Sequence, residues 1–94
     1  MDINSGVKLF RETPGAVLLD VRTPQEYAER HIEGSINIPL QVLGSSLDKL
    51  PDKNAMIFVH CLSGGRSGVA ASFLQRSGYT NVTNIGGIKD YKEE

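Results

Sequence analysis

Cys61 is followed by Leu62, Ser63, Gly64, Gly65, Arg66 and Ser67, which brings a thiol, two glycines, an arginine and two hydroxyls together in one short stretch. Upstream lies an apolar run of strand character, Ala55 to Val59, and downstream a helical pattern runs from Ser67 to Ser77 until Gly78 stops it. A strand, a tight loop and a helix start in that order form an anion site. Ligands of open parallel sheets bind beyond the carboxyl ends of the strands, where a helix N-terminus presents unpaired N–H groups. Such a setting lowers a cysteine pKa well below its ordinary value of about 8.5, so no separate general base is needed.

Each loop residue has an expected task. Gly64 and Gly65 let the loop amides converge on the sulfur and permit backbone angles closed to other residues. Arg66 favours the thiolate and offers paired N–H groups to an oxyanion, while Ser63 and Ser67 add hydroxyl donors. Leu62 completes the binding loop. The alternative for Cys61, a small buried hydrophobe, is outweighed by this setting. His60 sits next to Cys61 in an extended segment, so their side chains point to opposite faces and His60 is expected to be structural or exposed. With two histidines and one cysteine the chain has little from which to build a metal site, and no cofactor is expected.

The loop has to be held by a layered sheet. Strand candidates are Ala16 to Leu19, Ser35 to Ile38, Ala55 to Val59 and Asn81 to Thr83, alternating with helical segments as in stacked βαβ units around a mostly parallel sheet. The first strong strand leads to Asp20 and Arg22, which fall on the rim of the site in a supporting role, structural or functional. Thr23-Pro24-Gln25-Glu26 supplies an N-cap, a proline at the first helical position and a capping-box carboxylate. His31 follows this helix, where a cationic ring complements the dipole. Further helices are expected over Ser5 to Glu12 and Leu43 to Leu50, and on the helix from Ser67 the residues Val69, Ala70, Phe73 and Leu74 should pack on the sheet.

Composition narrows the function. A chain of 94 residues allows one domain, 1–94, and ten Lys plus Arg against eleven Asp plus Glu leave no field that would draw it to nucleic acid or an anionic membrane. A lone cysteine excludes an internal disulfide and a CxxC pair. No apolar run approaches the roughly 18 residues of a membrane span, and the start lacks the pattern of an export signal; the expected location is the cytoplasm, and a leader removed beforehand is compatible with the sequence.

The chain resembles the single-domain rhodaneses. Leu18 to Tyr27, continued by His31 to Pro39, is similar to the family's first signature, Cys61 to Ser67 to its active loop, and Asn84-Ile85-Gly86-Gly87-Ile88 to its closing motif. One departure is Tyr91, where family members often carry tryptophan. The resemblance implies a three-layer α/β domain, with a central mostly parallel sheet of about five strands flanked by helices. It also implies sulfurtransferase activity: a Cys61 persulfide formed from thiosulfate or a similar donor, with Arg66 orienting the donor and cyanide or a thiol as acceptor. A sulfur-accepting protein is a further expected partner.

Two other readings compete. Cysteine phosphatases and arsenate reductases also pair a strand-end thiolate with a loop arginine, but through C-x5-R, whereas four residues separate Cys61 from Arg66. The shorter loop makes a tighter ring of amides, which suits one extra sulfur better than a phosphoryl group. The second alternative is a sulfur-carrier module that serves a protein partner without turnover.

Overall fold

A computed structural model describes residues 1–93. Among them the chain runs α1 (Ile3–Glu12), β1 (Val17–Asp20), α2 (Pro24–Glu29), β2 (Ile36–Asn37), two 3-10 turns (Leu40–Ser45 and Leu47–Lys49), β3 (Met56–Cys61), α3 (Gly65–Arg76), β4 (Asn81–Gly87) and a 3-10 turn (Ile88–Asp90). The strands form one parallel sheet in the order β2-β1-β3-β4. This is an α/β fold whose parallel sheet has four strands among the described residues, where the resemblance implies about five. The N-terminal segment is taken up by α1 and the chain after Pro39 by 3-10 turns, so neither supplies an extended edge.

Alternation along the central strands divides the core into two layers. Leu19, Ile57, Val59 and Cys61 face Leu43, Leu50, Ala70, Leu74 and Tyr79 on one side of the sheet. Leu18, Phe58 and Ile85 face Ile3, Val7, Ile32, Ile88 and Tyr91 on the other. Tyr91, at the position where tryptophan is common in relatives, belongs to this second layer.

Local chemistry accounts for the helix starts. Asp2 caps α1 by accepting the Ser5 N–H, and the expected capping box of α2 is present, with Thr23 accepting the Glu26 N–H and Glu26 accepting the Thr23 N–H. The expected helix over Leu43 to Leu50 is instead the pair of 3-10 turns, closed by i to i+3 bonds such as Ser46 N–H to Leu43 O. Gly44, Ser45 and Ser46 are poor helix formers, and Pro51 ends the segment before a longer helix can propagate. Val69 differs from its expected place on the sheet face. Ser67, Ala70, Ala71 and Leu74 form the buried stripe of α3, and Val69, one residue before Ala70, is turned outward and 57% exposed.

Candidate active site

β3 ends at Cys61, and α3 begins four residues later at Gly65. The thiol sits at the buried floor of the intervening loop, while Leu62 at its rim is 44% exposed. Gly64 turns the chain into the helix with φ of 109°, in the left-handed region, and its N–H points back to Cys61 Sγ at 3.0 Å. Gly65 has no such duty: it lies in regular helix, and a side chain there would meet open space. The glycine that the loop also requires is Gly87, where a Cβ would collide with the Leu62 carbonyl and the Ser63 backbone.

Ser67 and Asn84 hold the loop from below. Ser67 Oγ lies 2.7 Å from Asn84 Oδ1, 3.1 Å from Gly64 O and 3.4 Å from both Cys61 Sγ and Gly86 O, so one hydroxyl proton has several acceptors within reach. Asn84 also accepts the Gly86 N–H and donates from Nδ2 to Gly64 O. The Gly86 donor fixes which end of the amide is oxygen. Burial would push the Cys61 thiol up. The Ser67 hydroxyl, followed by the amides of Ser67, Gly64 and Ser63, outweighs burial and leaves the pKa below the ordinary thiol value.

Arg66, in the first turn of α3, is engaged by α2. Its Nη1 donates to Glu26 Oε1 at 2.6 Å and its Nη2 to Glu26 Oε2 at 3.0 Å. The hydrogen bonds from Arg66 hold the Glu26 carboxyl at about 2, and the same pairing raises the guanidinium further, with the Cys61 and Asp20 charges adding to it. The capping-box pattern alone accounts for Glu26 in the sequence. Its second task depends on a contact across 40 positions of chain.

Asp20 and Arg22 lie at the end of β1, both buried, and form a bidentate pair through Arg22 Nε and Nη2; Asp20 Oδ1 also accepts the Arg22 backbone N–H. His60 is fully buried beside them. Its Nδ1 is 3.2 Å from Cys61 O, and its Nε2 has no hydrogen-bond partner and lies 3.8 Å from Asp20 Oδ2. Burial depresses its pKa, so the ring is neutral. It packs away from the sulfur. His31 is exposed, stacks on Tyr27 and sets Nδ1 2.9 Å from the Tyr27 carbonyl oxygen near the end of α2. Among the described residues no cluster of His, Cys, Asp and Glu could hold a metal ion, and no helix is long and apolar enough to cross a membrane.

A parallel α/β sheet with a cysteine at the end of an inner strand, cradled by a glycine turn and a helix start, defines a rhodanese-like domain. The family's sequence pattern matches residues 5–94, and the chain belongs to the rhodanese family. It is 44% identical to the thiosulfate sulfurtransferase PspE of Escherichia coli strain K12 over 73 residues, which are 77% of this chain and 70% of that one. It is also 36% identical over 75 residues to the putative sulfur carrier protein YrkF of Bacillus subtilis, covering 79% of this chain and 40% of YrkF. Among solved structures, a rhodanese with anions from E. coli superposes with a TM-score of 0.75 at 41% identity, over 84% of this chain and 94% of the other.

Proposed function

We propose that the protein is a sulfurtransferase that carries sulfane sulfur on Cys61, with thiosulfate or a similar anion as donor and cyanide or a thiol as acceptor. The observation that carries this reading is the Cys61 sulfur, set at the loop floor against the Gly64 amide and the Ser67 hydroxyl and titrating below an ordinary thiol. The thiolate attacks the outer sulfur of thiosulfate. A new S–S bond forms to Cys61, the old S–S bond breaks, and sulfite leaves with the bonding pair. In the persulfide the charge moves outward to the terminal sulfur, still inside the ring of loop amides that would stabilise it. An acceptor nucleophile then takes the terminal sulfur and returns the thiolate, giving ping-pong kinetics.

A second thiol is absent from the sequence, so the persulfide cannot collapse into an internal disulfide and the sulfur has to leave with an external acceptor. The short loop disfavours the phosphatase reading, since its recessed floor suits a slender terminal sulfur better than a tetrahedral phosphoester. The carrier reading draws support from the similarity to YrkF. Intact mass after incubation with thiosulfate tests the proposal: a gain of one sulfur in the wild type and none in Cys61→Ser is expected. No gain, with hydrolysis of an aryl phosphate, overturns it. Multiple turnovers with thiosulfate and cyanide distinguish an enzyme from a carrier.

A further inference from the structure

The guanidinium best placed to receive an anionic donor already has a partner. Glu26 occupies the two-pronged face of Arg66, and two of the five guanidinium N–H donors are committed to it. Glu26 is itself anchored, because Oε1 also accepts the Thr23 backbone N–H at 3.0 Å and the Thr23 hydroxyl at 3.1 Å. The carboxylate therefore stays at the rim when an anion approaches. Arg66 and Glu26 are 35% and 30% exposed, respectively, so the pair borders solvent where a donor must enter.

Asp20 and Arg22 neutralise each other in the interior. His60 is neutral. Lys89, whose N–H binds the Leu62 carbonyl, is exposed to solvent and to salt screening. Beside the loop amides, an arriving anion thus meets a guanidinium already paired, a fixed carboxylate and the Cys61 thiolate.

We infer that Glu26 is a specificity-determining residue: it holds Arg66 in place while discriminating against dianionic sulfur donors in favour of donors with one negative charge or none. The inference rests on the sulfurtransferase reading above. Its physical basis is Coulombic, since repulsion from a fixed carboxylate is twice as large for a dianion as for a monoanion at equal distance. Thiosulfate would be tolerated, and a thiosulfonate or an organic persulfide preferred.

Glu26→Gln tests this cleanly, because glutamine serves the capping box as glutamate does and α2 keeps its start. The probes are thiosulfate and methanethiosulfonate, which both present a terminal sulfane sulfur but differ by one charge. With the thiosulfonate the Cys61 thiolate takes the outer sulfur and methanesulfinate leaves with the bonding pair. In the wild-type background, Glu26→Gln should raise kcat/KM for thiosulfate about five- to tenfold and that for methanethiosulfonate about two- to threefold, and the difference should shrink in high salt. Affinities of both anions for Cys61→Ser, with and without Glu26→Gln, give a readout independent of turnover and should shift in the same ratio. Equal changes for the two anions, no change, weaker thiosulfate binding in the double variant, or no binding of either anion would overturn the inference. Absence of sulfur transfer by the wild type, with the affinity ratio still shifted, overturns the sulfurtransferase reading and leaves the role of Glu26 standing.

Discussion

Two arginine–carboxylate pairs flank the sheet ends, alike in geometry and opposite in setting. Asp20 and Arg22 are buried at the end of β1, two positions apart in the chain, with Asn37 Nδ2 bonding the carbonyls of both residues. Glu26 and Arg66 meet at the rim from different helices and border solvent. A buried pair cannot exchange partners without leaving a charge unsolvated, so it fixes the floor beneath the site. A rim pair stands in solvent and is screened by it, so both of its charges, the carboxylate included, face an arriving ligand. Bidentate geometry alone does not distinguish support from recognition; burial does.

The contrast breaks most sharply at Arg22. Arg22→Met leaves the Asp20 carboxylate buried without its partner and should cost about 3–5 kcal/mol, or roughly two to four orders of magnitude in the unfolding constant, read by urea denaturation. An equally small effect at both arginines would erase the distinction. Next comes the sulfur. Ser67→Ala should raise the pH midpoint of Cys61 alkylation by about one unit, a roughly tenfold loss of thiolate at fixed pH, and Arg66→Ala should raise it less because Glu26 already neutralises that charge. The smallest effect belongs to the rim pair itself. Glu26 titrates at about 2 in the fold against 4.5 unperturbed, chiefly through its hydrogen bonds from Arg66. Its contribution is complete above pH 4.5 and fades as the pH falls toward 2. Glu26→Gln should therefore be less stable than wild type by under about 1 kcal/mol near neutral pH, and thermal melts should show the gap closing in acid.

The loop could be read from the sequence because its chemistry is local. Cys61, Gly64 and Ser67 lie within two turns of chain, and strand, turn and helix signals bracket them. The α2 capping box was equally plain, being a contact of residues three apart. A residue with two jobs shows only one of them in the sequence. The cap already explained Glu26, so nothing in the chain called for a second partner. Asn84 and Gly87 carry no legible task in the sequence, since their work is to hold and clear the loop from β4, beside β3 in space but far from it in sequence. Val69 turns outward against expectation, because apolar character does not say which side of a helix faces the sheet when Ser67 and Ala71 complete the buried stripe.

The sequence by itself determined the strand-end cysteine, the glycine turn that aims an amide at it and the parallel α/β frame, because these follow from backbone preferences and hydrophobic period over short spans. Only the tertiary structure decided which arginine–carboxylate pair is sealed in the interior and which borders solvent. That difference is one of burial and of contacts across tens of residues, and charge type and spacing along a chain carry neither.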